Sequence, residues 1–254
     1  TDDTVAIQAA LNSCQASGGT VFLPKGTYII SSTLTMYSNT TLVGEGRDAT
    51  KIHTANNGAG ATFSGFMITA TDQNYLTIRD MSLRGTSIDG TSGAGIQFAI
   101  SSNSCIQGVE LSNLNVTDLP GDGIHIASPI TSTLRQVMVR TVAGNAFYLS
   151  GGTSTNLYEC YALTCVQAGF SLYGMTYSSL VGCASEGSGN CYRLENSRNI
   201  SLISCGCEQT QYRSSSFPGI AYNLLNGKCN TLLNCYSSEF AVANPATMHL
   251  SITA

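Results

Sequence analysis

Between residues 123 and 235 one short pattern recurs at nearly constant spacing. GIHI at 123, AFYL at 146, GFSL at 169 and CYRL at 191 each open a segment, at steps of 23, 23 and 22 residues. Fourteen residues after each opening stands a small apolar side chain: Val137, Cys160, Cys183 and Cys205. The same interval links Ala221 to Cys235, Gly95 to Val109 and Met67 to Met81. A period in the low twenties built from strand-like pieces implies a solenoid, in which each repeat buries its apolar face only against its neighbours. The pieces choose the solenoid. Alternating runs such as Ile124-His125-Ile126 are separated by Gly, Asn, Ser and Thr, which form turns. No segment leaves room for a helix between its strands, and the leucine spacing of a leucine-rich repeat is absent. The expected fold is all-β: a right-handed, single-stranded parallel β-helix whose rungs stack at about 4.8 Å.

The repeat also sets the domain organisation: one domain over 1–254, with a capping helix at 1–17, lead-in rungs at 18–65 and regular rungs at 66–254. Residues 1–16 carry Asp2, Asp3 and Thr4 as candidate N-caps and Val5, Ile7, Ala10 and Leu11 as an apolar face. Such a helix covers the otherwise open end of the stack. Charged residues make up only 10% of the chain and the net charge is -4, which gives no electrostatic footprint for nucleic acid. No apolar run is long enough for a membrane span. The ten cysteines fall mostly into columns. Cys160, Cys183, Cys205 and Cys235 continue an inward column from Met81, Val109 and Val137, and Cys207 joins a second with Leu83, Leu111, Val139 and Ala162. The expectation is a ladder of reduced, buried thiols behaving as small hydrophobes, with bridges between adjacent rungs as the alternative. Cys205-x-Cys207 has no partner pair at metal-ligand spacing, so neither a metal nor a cofactor is expected.

TDDTVAIQAAL at 1–11, GGTVFLPKGTYII at 18–30 and LVGEG at 42–46 resemble the opening segment of the pectate-lyase-like parallel β-helix superfamily, in the branch of bacteriophage tailspikes and polysaccharide depolymerases. The family's motif carries a Gly-Asp-Gly lead-in before Thr-Asp-Asp-Thr. Its absence here implies a piece of a longer chain. The resemblance implies a polysaccharide or oligosaccharide partner, a homotrimer, and an extracellular or virion-surface location. It brings no catalytic motif with it.

The residues themselves suggest where a glycan would lie. Reading each I-x-I as in–out–in, the first strand's outward column is Thr69, Gln97, His125, Tyr148, Ser171, Arg193 and Asn223, continuing to His249. Rung lengths place extra residues at 86–94, 117–121 and 209–219, which predicts a low floor of His125, Tyr148, Ser171, Tyr173, Arg193 and Glu195. Asp118 and Asp122 would wall one end, Tyr212 and Arg213 the other. Asn145 and Asn190 share a turn position with Asp122 and are a candidate side-chain ladder. Glycoside hydrolysis needs two carboxylates astride the bond. Elimination needs a base beside a carboxylate-bearing carbon and a cation to stabilise the resulting charge. Asp118, Asp122, His125 and Glu195 form the first candidate catalytic cluster, with Tyr148, Ser171, Tyr173, Arg193, Tyr212 and Arg213 as substrate-binding residues. Each of these also has a plain reading: Asp122 lies between two glycines and is an ordinary turn residue, and His125 an ordinary solvated strand residue. Glu186 and Glu208 share an outward column on adjacent rungs of another face and form a second candidate pair. The leading expectation is a depolymerase working by hydrolysis or β-elimination. A non-catalytic receptor-binding or stalk module is the alternative, and a sugar epimerase a weaker one.

Overall fold

The computed structural model describes residues 1–55, 63, 65–85, 94–211, 213–238 and 250–253. Among these, almost every element is a parallel strand of a β-helix. A nine-stranded parallel sheet forms one face, and a fifteen-stranded parallel sheet, bent along its length, forms the other two. The bend is written into the backbone. Asp80, Asn113, Gln136, Glu159, Ser204 and Asn234 have φ between 50° and 60° at equivalent points of successive rungs. A left-handed residue turns the chain sharply, so long strands such as Glu110–Leu119 and Thr133–Val142 fold over it into two arms. Side chains at this edge bond along the stack: the Asn113 amide donates to Asp80 Oδ1 at 2.8 Å and Gln136 to Glu159 at 2.9 Å.

The core is the expected stack. Phe147, Phe170, Tyr192 and Tyr222 lie face to face, with centroids 4.8, 5.1 and 5.2 Å apart. All four are buried, and the Tyr192 hydroxyl meets the Cys183 and Gly206 carbonyls at 2.8 and 3.0 Å. The helix α1, Thr4–Ser13, covers the first rungs with Ile7 and Leu11 buried. Val5, expected on its apolar face, is 80% exposed. Its direction, two positions from Ile7 and about 200° around the helix, points it away from the core.

Two sequence-level expectations are corrected. In the fifteen-stranded sheet Val137 pairs with Leu114 and Val139 with Val116, not with Val109 and Leu111. The extra residues of that rung therefore lie at 100–104, between Ala99 and Ile106, and not at 117–121. Asp72 pins that longer turn, accepting from the backbone of Ser101, Ser102 and Asn103. The insertion expected at 86–94 lies, but for Ala94, outside the described residues, as does His249. The cysteines are not all reduced: Cys191 and Cys207 form a disulfide with Cα atoms 5.8 Å apart. They face each other across the interior of one rung, where the preceding rungs place Gly169 against Ser185 and Gly123 against Val139. The other cysteines are free. The Cys183, Cys205 and Cys235 thiols each lie 3.3–3.6 Å from a carbonyl of the preceding rung, and burial pushes Cys165 up to about 12.

Candidate active site

The outer surface of the nine-stranded sheet carries a groove of about 450 Å³. Its floor follows from strand register. His125 of Ile124–Ala127 pairs with Tyr148, Tyr148 with Ser171, and Ser171 with Arg193. In a parallel sheet such partners lie about 4.8 Å apart on the same face. A second column brings Ser150, Tyr173 and Glu195 into line beside it.

One edge of the groove is the turn leading into these strands. Asp122 Oδ1 accepts from the Asn145 backbone N–H at 2.7 Å and from its side-chain amide at 3.0 Å. The same amide nitrogen lies 3.1 Å from Gln167 Oε1. Asp122 Oδ2 lies 3.2 Å from His125 Nδ1. A Cβ at Gly144 would stand 2.4 Å from Asp122 Oδ1, so that glycine permits the close packing around the carboxylate. With Nδ1–H directed at Asp122, Nε2 of neutral His125 presents its lone pair elsewhere. The imidazole meets Tyr148 edge to face, with centroids 4.6 Å apart. Burial, then the charge of Asp122, raises the Tyr148 pKa above its ordinary value. Its hydroxyl therefore stays protonated at neutral pH.

The other end is built around Arg193. Its guanidinium donates to Glu195 at 2.8 Å and lies 5.3 Å from the centre of the Phe217 ring. Its buried Nε has no hydrogen-bond partner among the described residues. Phe217 comes from the long turn at 209–219, where Ser214 and Phe217 form an isolated bridge. It seats over Gly189, where an added Cβ would come within 2.9 Å of it.

Residues 1–193 match a family described as rhamnogalacturonase A/epimerase, pectate lyase-like. The chain belongs to that family. Three solved structures share the fold at low identity. ORF18 of Geobacillus virus E2 matches over 99% of this chain and 57% of its own, at 16% identity and a TM-score of 0.63. WceF of Pantoea stewartii, described as a glycan biofilm modifying enzyme with a tailspike-like parallel β-helix fold, matches over 96% of this chain and 37% of its own (14% identity, TM-score 0.68). The A-module of the Azotobacter vinelandii mannuronan C-5 epimerase AlgE6 matches over 100% and 96% (16% identity, TM-score 0.56). The chain thus spans a little over half of the viral protein and over a third of WceF. No curated protein sequence matches it.

On this pectate-lyase-like scaffold Asp122, Tyr148, Ser171, Tyr173, Arg193 and Glu195 line one groove, with His125 held against Asp122. Asp118 is not among them. It has φ 59° and accepts from Arg84 Nε at 2.8 Å on a different face. Arg213 is exposed, with its backbone N–H donated to the Phe217 carbonyl, and Phe217 takes the wall position. Tyr212 lies outside the described residues. Glu186 and Glu208 are neighbours in register on the fifteen-stranded sheet. Glu186 there accepts the Tyr161 hydroxyl at 2.6 Å, and burial and that bond raise the phenol to about 12. The sequence reading missed Gln167 and Phe217. Gln167 precedes Ala168, which occupies the ladder position between Asn145 and Asn190, so its side chain reaches in from one place earlier. Phe217 was the apolar residue in an otherwise Ser- and Pro-rich turn, and that was the available signal.

Proposed function

We propose that this chain modifies an acidic glycan laid along the groove, cleaving it by β-elimination. The observation that carries the reading is the Asp122–His125 pair with Tyr148 on the next rung. His125 Nε2 takes the proton from the carbon bearing the uronate carboxylate. The electron pair passes into that carboxylate, while Arg193, three strand steps from His125, holds the carboxylate of a uronate further along the chain. The pair then expels the glycosidic oxygen, which Tyr148 protonates. Asp122 has both oxygens engaged and acts as a positioning residue.

Hydrolysis fits the groove less well. Glu195 is ion-paired and three strand steps from the His125 rung, roughly 14 Å, beyond the roughly 5–9.5 Å that separates glycosidase carboxylates. The family's description names an epimerase beside a rhamnogalacturonase, and the likeness to a mannuronan C-5 epimerase supports proton abstraction from a sugar. Epimerisation shares that first step and differs in the return of the proton to the opposite face. Incubation with a panel of acidic polysaccharides, following unsaturated-uronate absorbance and reducing ends together, tests the reading. Both signals should rise together and vanish in His125→Ala. Reducing ends without the chromophore would overturn it in favour of hydrolysis. Solvent deuterium in the sugar without new ends would replace elimination by epimerisation.

A further inference from the structure

A second cavity, of about 400 Å³, opens on a different face, the later arm of the fifteen-stranded sheet. Every side chain lining it is polar or charged. Its floor comes from consecutive strands: Lys51 pairs with Ser82 and Ser82 with Asn115, while His53, Arg84, Thr117 and Arg140 form the parallel column beside them. The loop carrying Asp48 overhangs one end, and its neighbour Arg47 accepts the Ser82 hydroxyl through its carbonyl. Asp118 and Thr141 close the other end.

The charges are unevenly spent. Arg84 is committed to Asp118. Among the described residues, Lys51 and Arg140 have no ion-pair partner, and Asp48 and Asp118 are the only carboxylates lining the cavity. Burial, and then the charges of Arg84 and Lys51, lower the His53 pKa. Asn115 Oδ1 lacks a hydrogen-bond partner among the described residues, and a sugar hydroxyl would supply one after rotation of the amide. Lys51 and Arg140 sit on strands three steps apart, roughly 14 Å. A single small anion cannot bridge them, but an oligomer with repeated charges can.

We propose that this cavity is an accessory binding site for an acidic oligosaccharide, whose carboxylates meet Lys51 and Arg140 and whose hydroxyls meet Asn115 and Thr117. It needs no chemistry in the groove. The test uses the full chain carrying His125→Ala, so that turnover cannot blur binding, with a fluorescent oligogalacturonate followed by anisotropy at low salt. Adding Lys51→Ala and Arg140→Ala should weaken the affinity about tenfold, the loss of two partly exposed ion pairs, and flatten its salt dependence. Lys51→Arg with Arg140→Lys should retain it, which separates lost charge from lost folding. An affinity untouched by the alanine pair but abolished by Arg193→Ala would place all binding in the groove and overturn the proposal. So would absence of binding, a neutral dextran oligomer binding equally well, or inorganic sulfate competing as strongly as the oligomer.

Discussion

Tyr148 is the residue on which the chemistry of the groove can be read most directly. Its hydroxyl is held protonated by burial and by the neighbouring carboxylate charge of Asp122, so its acid form persists above the ordinary tyrosine value of 10.0. If it protonates the leaving oxygen, activity should hold through neutral pH and fall only above about 10. Tyr148→Phe should lower kcat by roughly 10²–10⁴ and abolish that alkaline limb, which a rate profile would record. Asp122→Asn makes a different test, because Asn keeps the shape but can no longer accept from both His125 and the Asn145 amide. We expect kcat to fall by at least about 10²-fold with KM little changed, and Glu195→Gln to cost far less. A larger loss from Glu195→Gln would make that residue, and not the His125 pair, the reactive group. Most of the groove was legible in the sequence, because strand partners one period apart must share a face. The roles within it were not. Asp118 and Asp122 are four residues apart, yet Asp118 still belongs to the strand Glu110–Leu119, where it has a left-handed backbone and meets Arg84, while Asp122 lies at the turn into the next strand.

Periodicity located the strands and the long turn at 209–219, but misplaced the insertion of the rung that begins at Gly95. Val109, Leu111, Leu114 and Val116 are all apolar and all buried, so either register presents an acceptable inward column. The pairing is fixed instead by the turn at 100–104 and its bonds to Asp72. The disulfide escaped for a related reason: neighbours were sought between rungs, whereas Cys191 and Cys207 face each other within one, 16 residues apart. Closing a loop of that length should contribute roughly 3 kcal/mol, so Cys191→Ala with Cys207→Ser should lower Tm, and a reductant should do the same to the parent chain. The capping helix has its own sensitivity. Ser31 and Thr4 hydroxyls hydrogen-bond Asp2 and lower its pKa from 3.8 to about 2. A depressed carboxylate stabilises the fold above its unfolded value and loses that contribution as pH falls through the folded one. The protection factors of the α1 amides, which already allow for the slower intrinsic exchange in acid, should therefore fall between about pH 4 and pH 2, and Asp2→Asn should remove the step.

In the whole molecule each rung rests on its two neighbours, so stability is distributed along one axis. The aromatic stack gives that axis a continuous centre from Phe147 to Tyr222, and the groove lies directly above it. Inward Phe147, Phe170 and Tyr192 flank outward Tyr148, Ser171 and Arg193 on the same strands, so displacement of one ring should move the floor. Phe170→Ala removes the ring that touches both Phe147 and Tyr192 and should cost about 3–5 kcal/mol. Because coupling is between neighbours, the lost protection should concentrate at 146–150 and 190–195, while the lead-in strands Gly19–Leu23 and Thr40–Gly44 keep theirs. Hydrogen exchange resolved by segment measures this. A uniform loss along the chain would mean that the β-helix unfolds as one unit. A graded loss would mean that the groove, above the middle of the stack, can open while the capped end stays folded.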